Sequence, residues 1–242
     1  MTMPNVLITG SSRGIGKTLA HEFARAGYKV LIHYHTQRAQ AQAVADEITH
    51  SGGAAAVYSC DLADHAAVRA MMGSIAEKEK NIDVLINNAA MTRDRTILKM
   101  TDDEWDSVVR ADLSGTFFMV QECAKLMVKY KEGAMINIAS IVGVRGSFGN
   151  ANYASAKAGV IALTKSAARE LGRFSIRINA VLPGFHMTGL GATAPADYIE
   201  NIHRESVLGC TTDSGELARF VVLLAQSKTI SGQVFNWDSR II

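Results

Sequence analysis

Residues 5–20 read NVLITGSSRGIGKTLA, and this stretch decides the fold. An apolar run typical of a buried strand leads into glycines at positions 10, 14 and 16, and helix-forming residues follow. Glycines let the backbone turn tightly and approach a ligand, and the next helix would point its N-terminus at the same gap. Any strand–helix corner can use such a turn, and the spacing is GxxxGxG rather than GxGxxG. At the first crossover it favours a site for a dinucleotide pyrophosphate.

Outward from this stretch, short apolar runs alternate with helix-like segments along the whole chain. The predicted strands are residues 5–10, 29–35, 54–60, 82–88, 134–140, 176–184 and 232–237. Most are apolar on successive residues, which is typical of strands covered on both faces. We therefore predict one α/β domain over residues 1–242, doubly wound in the Rossmann manner, with a mostly parallel sheet of about seven strands flanked by helices. Residues 184–212 lack a core pattern and are predicted to form a substrate lid or an ordinary surface loop.

The totals restrict the possible partners and compartments. A net charge of +2 on 242 residues, without a basic stripe, argues against nucleic acid as a partner. The cysteines Cys60, Cys123 and Cys210 are scattered and form no CxxC, so neither a disulfide framework nor a zinc site is predicted. No apolar run approaches the roughly 18 residues of a membrane span. No basic segment precedes the first strand, so we predict no signal peptide and a cytoplasmic protein.

The end of the second predicted strand indicates which dinucleotide would bind. An NAD enzyme places a carboxylate there for the ribose 2′-hydroxyl, whereas this chain has none before Asp46. It offers His35, Thr36 and Arg38 instead, with Arg13 inside the glycine turn. Hydrogen-bond donors and cations favour a 2′-phosphate, so NADP(H) is the predicted cofactor. His33 and His35 share one side of this strand, but no third ligand follows with suitable spacing, so no metal site is predicted.

A second motif, YASAK at residues 153–157, places a phenol and an amine one helical turn apart. On a helix Tyr153 and Lys157 would share a face, and the ammonium would favour the phenolate. The pair therefore predicts a tyrosine tuned to give and take a proton, although a surface Tyr and Lys could meet in this way by chance. Ser140 lies 13 residues before Tyr153, at the end of a predicted strand.

These motifs together resemble one family, the short-chain dehydrogenase/reductases, over essentially the whole chain. The segments that carry the resemblance are TGSSRGIG (9–16), DL (61–62), NNAA (87–90), Ser140 with YASAK, and PGFHMTG (183–189). Each segment is modest alone, but their order and spacing together are highly specific. The resemblance implies a dinucleotide-dependent oxidoreductase.

The resemblance also implies which residues form the site. The implied catalytic residues are Ser140, Tyr153, Lys157 and Asp112. The implied cofactor contacts are Gly10, Ser12, Arg13, Gly14, Ile15, Gly16, His35, Thr36, Asp61, Leu62, Asn88, Ala89, Tyr153, Lys157, Pro183, Gly184 and His186. In the implied reaction, hydride reaches a carbonyl carbon while Tyr153 gives its proton to the oxygen. Lys157 is expected to lower the Tyr153 pKa and to hold the nicotinamide ribose, and Ser140 to aim the carbonyl.

The chain departs from the family pattern at several positions. Asp112, in ADLSG, stands where the family usually has an Asn that supports a proton relay to the lysine. An ionised carboxylate accepts hydrogen bonds but cannot donate them, so we expect an altered relay in an active enzyme. Ala90 replaces the Gly of NNAG, and His186 replaces an aliphatic residue and is expected to face the nicotinamide or the substrate. Cys210 and Ser214 stand where Arg and Pro are frequent, and the closing Gly-Gly is missing.

Within the family, residues 91–109 and 152–172 are most similar to 3-oxoacyl-[acyl-carrier-protein] reductases and their acetoacetyl-CoA relatives. This similarity implies NADPH-dependent reduction of a 3-oxoacyl thioester, bound to a carrier protein or CoA, for fatty-acid or polyketide-like synthesis. The alternatives are a dehydrogenase for a small alcohol, sugar or steroid, and a dinucleotide-binding regulator without turnover.

The resemblance implies protein partners as well. An acyl-carrier protein is acidic, so basic residues are expected beside the pocket mouth. The candidates are Lys125, Lys129, Lys131 and Arg173. Cations that stabilise helix C-termini would explain these residues equally well. The family commonly pairs its two long helices across two-fold axes, which implies a homodimer or homotetramer. The small residues of 154–168 fit such packing but could equally face the sheet.

Overall fold

The computed structural model describes residues 3–242, and its strands form one seven-stranded sheet in the order β3-β2-β1-β4-β5-β6-β7. The strands are β1 (Asn5–Ile8), β2 (Lys29–Tyr34), β3 (Ala54–Ser59), β4 (Val84–Asn87), β5 (Gly133–Ile138), β6 (Ile176–Leu182) and β7 (Val234–Asn236). Every neighbouring pair is parallel. The predicted doubly wound α/β class, with a parallel sheet of about seven strands, is therefore confirmed.

Helices connect the strands and cover both faces of the sheet. The helices are α1 (Gly14–Arg25), α2 (Arg38–His50), α3 (His65–Glu79), α4 (Asp102–Val108), α5 (Gly115–Tyr130), α6 (Val142–Arg145), α7 (Ala151–Leu171), α8 (Ala196–Glu205) and α9 (Ser214–Gln226). A π-helical turn, Val109–Ser114, joins α4 to α5, and 3₁₀ turns lie at Gly172–Phe174 and Gly189–Gly191. Among residues 3–242, no helix combines the length and the apolar character that crossing a membrane requires.

Strand β1 shows why the central strands are apolar on successive residues. Val6 and Ile8 pack into the core beneath α1, α2 and α9, whereas Leu7 points into the opposite core with residues of α3 and α5. Side chains alternate between the faces of a strand, so a strand covered on both sides needs apolar residues at every position. This burial is what the run NVLI encodes.

The position of β1 also determines where a ligand can bind. β1 pairs with β2 on one side and with β4 on the other, so the chain reverses its winding direction beside it. In a doubly wound sheet the crevice at this reversal, outside the carboxyl ends of the strands, receives the ligand. The glycine turn follows β1 directly and therefore lies at this crevice.

The structure differs from the sequence prediction at the ends of the elements. β1 ends at Ile8 and β6 at Leu182, two residues before the predicted ends. The chain there already bends towards the crevice, and an apolar pattern does not mark that bend. Residues 184–212 contain helix α8, which the prediction of a lid or loop did not include. Only Ile202 of this helix is buried, so it lacks the wide apolar stripe that identifies a core helix.

A buried histidine holds the glycine turn against the ends of β2 and β3. His33 is 2% exposed, and its Nδ1 accepts a hydrogen bond of 3.2 Å from the Gly10 amide. Its Nε2 lies 3.2 Å from the Cys60 carbonyl, to which it donates. These partners select the neutral imidazole with its proton on Nε2, and burial lowers the pKa of His33 from 6.5 to about 4. The ring nitrogens, considered above as metal ligands, are thus both engaged in structural hydrogen bonds.

We expect acid to destabilise the protein through His33. The folded-state pKa lies below the usual value, so the unfolded chain binds a proton first as the pH falls. The contribution of His33 to the free energy of unfolding is complete above pH 6.5. It is lost as the pH drops through about 4, which lowers the free energy of unfolding by about 3 kcal/mol. Urea unfolding across this pH range measures the loss.

His33→Asn should flatten the acid slope of the free energy of unfolding, because the replacement has no titrating ring. His35→Asn is the matched control and should keep the slope, because His35 is exposed. Equal slopes for His33→Asn and the unaltered protein would contradict the assignment.

Candidate active site

The glycine turn leads into helix α1, whose N-terminus has no side-chain cap. Helix α1 starts at Gly14, and its N-cap residue, the exposed Arg13, makes no side-chain capping bond. The first turn contains no acidic residue. Free backbone N–H groups at a helix N-terminus bind anions such as phosphate. The turn residues Ser12, Gly14 and Ile15, all predicted cofactor contacts, are half-buried at this opening.

Two glycines of the turn are required by their surroundings. Gly10 has φ +62°, a conformation that side chains disfavour, and a Cβ there would lie 2.9 Å from the Ala89 Cα. A Cβ on Gly16 would collide with the Gly10 carbonyl oxygen and lie 2.6 Å from the Asn88 Nδ2. These two glycines therefore let the turn pack tightly against the end of β4 and the start of α1.

The end of β4 is bonded to this turn. The Asn88 side-chain amide donates to the carbonyls of Thr9 and Gly10 at 2.9 and 3.2 Å, and the Ala89 amide donates to the Thr9 hydroxyl at 3.0 Å. Asn88 and Ala89, both predicted as cofactor contacts, thus border the glycine turn. Thr9 and His33, which hold the turn in place, were not predicted as site residues.

The ends of β2 and β3 present an open polar edge. His35, Thr36 and Arg38 are exposed, and the His35 Nε2 lies 3.9 Å from the Asp61 carboxylate. Leu62 is buried against Gly115, so its side chain belongs to the core rather than to the edge. This edge therefore carries the hydrogen-bonding side chains His35 and Thr36 and the guanidinium of Arg38, with the Asp61 carboxylate at its rim.

Ser140, Tyr153 and Lys157 converge where β5 ends and α7 begins. Ser140 follows β5, and its Oγ accepts a hydrogen bond of 3.2 Å from the Val142 amide. The Lys157 Nζ lies 5.5 Å from the centre of the Tyr153 ring and donates to the Ile138 carbonyl at 3.0 Å. The pair thus shares a helix face, as the spacing predicted.

Asn152 anchors the helix that carries this pair, and the sequence prediction missed it. Its side-chain amide is completely buried and donates to the carbonyls of Arg93 and Glu104 at 2.9 and 2.8 Å. Its Oδ1 accepts from the Tyr153 amide at 2.8 Å. An Asn directly before the tyrosine was the available signal, but Asn is frequent at helix starts for local reasons.

The Lys157 ammonium acts on Tyr153 in the expected direction, because it lowers the pKa of the phenol, but burial has the larger effect. Burial raises the pKa of Tyr153, and the Lys157 ammonium and the Ser140 hydroxyl oppose this effect without overcoming it. The Asp112 carboxylate and the Tyr198 phenol push the pKa of Tyr153 further upward. Sequence spacing identified the cation but not the desolvation that outweighs it.

Asp112 lies behind Lys157 in the π-helical turn and is completely buried. Its Oδ1 accepts a hydrogen bond of 2.9 Å from the Met91 amide. Its Oδ2 has no hydrogen-bond partner and lies 3.8 Å from the Lys157 Nζ. Desolvation raises the pKa of Asp112 from 3.8 to about 6, although the Lys157 charge and the Met91 amide favour its ionised form. Such turns within helices are frequent at functional sites.

The segment after β6 folds over the same crevice. Pro183 is buried, and Gly184 packs against Thr212. His186 is 6% exposed, and its Nε2 donates to the Pro183 carbonyl at 2.7 Å. The ring therefore turns back into its own loop, which corrects the expectation that it faces the nicotinamide or the substrate. Burial lowers the pKa of His186.

Two contacts hold this segment in place over the site. A Cβ on Gly14 would lie 3.0 Å from the Gly189 Cα, so the 3₁₀ turn rests on the glycine turn. Arg145 of α6 pairs with Glu205 of α8 at 3.0 Å, which links α8 to the short helix that follows Ser140.

The cations predicted to receive a carrier protein do not lie beside this mouth. Lys131 precedes β5 and Ser140 follows it, so the length of the strand, roughly 20 Å, separates them. Arg173 follows α7 and Tyr153 lies near its start, roughly 30 Å away along the helix. The prediction that these residues border the mouth is wrong within one chain. Among residues 3–242, no group of His, Cys, Asp or Glu side chains is arranged to hold a metal ion.

Comparison with known proteins agrees with this architecture. Residues 4–198 match the protein family described as short chain dehydrogenase. The 3-oxoacyl-[acyl-carrier-protein] reductase FabG of Staphylococcus aureus is 37% identical over 234 residues, which cover 96% of this chain and 95% of the relative. The 3-oxoacyl-[acyl-carrier-protein] reductase of Synechocystis is 37% identical over 250 residues, which cover 100% and 98%. The chain therefore belongs to the short-chain dehydrogenase family and is an oxidoreductase acting on CH–OH groups.

Proposed function

We propose that the protein catalyses the NADPH-dependent reduction of a 3-oxoacyl thioester to the 3-hydroxyacyl thioester. The observation that carries the proposal is the convergence of Ser140, Tyr153 and Lys157 at the carboxyl end of β5, the same end of the sheet at which the uncapped glycine turn follows β1. The names of the bacterial relatives, which span nearly the whole chain, support the substrate class. We place this activity in the cytoplasm, within fatty-acid or polyketide-like synthesis.

The cofactor preference follows from the charges around the crevice. Residues 35–45, directly after β2, include no carboxylate, and Arg13 and Arg38 are exposed near the glycine turn and the start of α2. A guanidinium group matches the geometry of phosphate and is more weakly hydrated than an ammonium group. These features support NADP(H) over NAD(H), and the glycine turn would hold the pyrophosphate.

The reduced nicotinamide supplies the hydride, and the protein supplies the proton and the alignment. As negative charge develops on the carbonyl oxygen, the Tyr153 O–H donates its proton to that oxygen. The Ser140 hydroxyl would hydrogen-bond the same oxygen and hold it near the phenol. The Lys157 ammonium would stabilise the resulting phenolate from within the protein, where a nearby charge acts more strongly than in water.

The lid and the carrier complete the proposal. Residues 184–212, with α8, would cover the acyl chain and exclude water during transfer. Acyl-carrier protein and CoA remain the two candidate carriers, and the relatives' names favour the former. Lys129 and Lys131 lie before β5, and Arg173 lies before β6, at the amino ends of these strands. The cleft lies at the carboxyl ends, so these cations cannot guide a carrier to the cleft of their own chain.

We also propose a homodimer or homotetramer formed through the two long helices. In α7, Ala156, Val160 and Thr164 face the sheet, whereas Ala158 and Ala162 are exposed. The outward face is therefore built from small residues, which allow a second helix to approach closely, and Phe117 of α5 is 42% exposed.

Replacing Tyr153 with Phe tests the activity directly. We expect the rate of NADPH oxidation with acetoacetyl-CoA, or with a carrier-bound analogue, to fall by about 10²- to 10⁴-fold, because the proton donor is removed. The stabilisation of the protein against heat by NADPH should remain. Tyr130→Phe is the matched control and should keep full activity, because Tyr130 lies at the far end of α5.

The same assay with simple ketones, sugars and steroids distinguishes the alternatives. Activity on these compounds but on no thioester would replace the proposed substrate class. Stabilisation by NADPH without turnover of any compound would indicate a dinucleotide-binding regulator.

Reversing the charge of Arg13 tests the cofactor preference. Arg13→Glu should weaken NADPH binding by about 10- to 100-fold, the range expected for one charged hydrogen bond, and change NADH binding much less. Arg25→Glu, at the other end of α1, is the control and should affect neither. Binding titrations with both coenzymes provide the measurement. An equal loss of affinity for NADPH and NADH would contradict recognition of the 2′-phosphate by Arg13.

A further inference from the structure

The carboxyl group of Asp112 is unusually placed for an acidic side chain. It is completely buried, and within residues 3–242 the carboxyl accepts a single hydrogen bond, from the Met91 amide to Oδ1. Its backbone is also fixed, because the Thr116 hydroxyl donates to the Asp112 carbonyl. The unpartnered Oδ2 lies 3.8 Å from the Lys157 Nζ. Burying a carboxylate with so few hydrogen bonds costs free energy, and the ion pair with Lys157 offsets part of that cost.

Lys157 is shared between two groups. Its Nζ lies 3.8 Å from the Asp112 Oδ2 and 5.5 Å from the centre of the Tyr153 ring, and it donates a hydrogen bond to the Ile138 carbonyl. An ionised Asp112 therefore reduces the net positive potential that reaches Tyr153, and its own negative charge opposes formation of the phenolate. A neutral Asp112 leaves the ammonium unopposed.

Few other charges act at this point. The groups that face the Asp112 carboxyl are Lys157 of α7 and the Met91 amide, and those that face Tyr153 also include Ser140 and Tyr198 of α8. The Thr116 hydroxyl of α5 donates to the Asp112 backbone carbonyl and carries no charge. On α4, Asp102, Asp103 and Asp106 are exposed. The state of Asp112 is thus the principal variable in this cluster, and burial brings the pKa of Asp112 to about 6.

We propose that Asp112 is a tuning residue, which sets the acid strength of Tyr153 through Lys157 and does so according to its own protonation state. With a carboxylate at position 112, Tyr153 is the weaker acid and transfers its proton more slowly. With a carboxylic acid there, Tyr153 is the stronger acid. The kinetic form of this inference rests on the proposed ketone reduction, whereas its electrostatic form concerns only the three side chains.

Asp112 does not exchange a proton with the substrate in this scheme. Protonation of Asp112 adds one proton from solvent to the carboxylate oxygen, and ionisation returns it. During reduction, the Tyr153 O–H bond breaks and its proton forms the new hydroxyl of the product, while the Lys157 ammonium group stabilises the phenolate. Tyr153 then recovers a proton from solvent.

The pH dependence of hydride transfer tests the kinetic form. With saturating NADPH and acetoacetyl-CoA, we expect the single-turnover rate to fall between two plateaus, by about threefold, as the pH rises through about 6. Asp112→Asn, which cannot ionise, should remain on the faster plateau throughout. Asp106→Asn is the matched control, because it removes an exposed carboxylate of α4 and should keep the step. A step that persists in Asp112→Asn would overturn the proposal.

Titration of the Tyr153 phenol tests the electrostatic form without any substrate. Ultraviolet difference spectra against Tyr153→Phe, recorded in the same background, isolate the ionisation of this one tyrosine. In Asp112→Asn the acid dissociation constant of Tyr153 should be about tenfold larger than in the unaltered protein, because a negative charge is gone. An unchanged constant would refute the coupling.

The two measurements separate the inference from the proposed activity. If no thioester is reduced but the phenol titration shifts as expected, the activity is wrong and the coupling stands. If thioesters are reduced but neither the step nor the shift depends on Asp112, the activity stands and Asp112 is only a structural replacement for Asn.

Discussion

The structure around the site depends on keeping the ammonium group of Lys157 inside the protein. Lys157 is 2% exposed, and removing such a charge from water costs several kcal/mol unless polar partners surround it. The partners come from separate parts of the chain: the Ile138 carbonyl at the end of β5, Asp112 in the π-helical turn and the face of the Tyr153 ring. Helix α7, strand β5 and the α4–α5 junction must therefore meet at one point, and that point is where the proposed reaction occurs.

The dinucleotide crevice is held by a different and mostly neutral network. His33 of β2 and Asn88 after β4 bond to the backbone of the glycine turn, and the Thr9 hydroxyl accepts from the Ala89 amide, so the turn is fixed before any ligand binds. Its own amides at the start of α1 are left without side-chain caps. Preorganised donors of this kind need little rearrangement to receive an anion. The catalytic region therefore stabilises the buried Lys157 charge with polar and ionic partners. The glycine turn instead offers unbonded backbone amides to the anion of a ligand.

The sequence predicted those features that depend on local patterns. The seven strands follow from apolar runs, the glycine turn from its position after β1, and the shared face of Tyr153 and Lys157 from helical spacing. Features that depend on packing between distant segments were missed or misjudged. Neither the structural role of His33 nor that of Asn152 is visible without the partners across the sheet. The raised pKa of Tyr153 reflects desolvation, which no spacing rule measures. The distance of Lys131 and Arg173 from the cleft follows from strand direction, and knowledge of the topology could have supplied it.

An aspartate in place of the family's asparagine changes the physics of the site more than its shape. The two side chains have nearly the same size, and Oδ1 of either can accept the bond from Met91. Asparagine would add a neutral donor beside Lys157, so the ammonium would act on Tyr153 alone. Aspartate adds a group whose charge depends on pH, in a place where a dielectric below that of water strengthens each interaction. Burial opposes the negative charge that one hydrogen bond and one ion pair favour, so the pKa of Asp112 lies at about 6, and a small change in its surroundings moves the balance. A buried ion pair is weak evidence for stability. The pair of Asp112 and Lys157 is better explained by the proposed tuning of the acid strength of Tyr153.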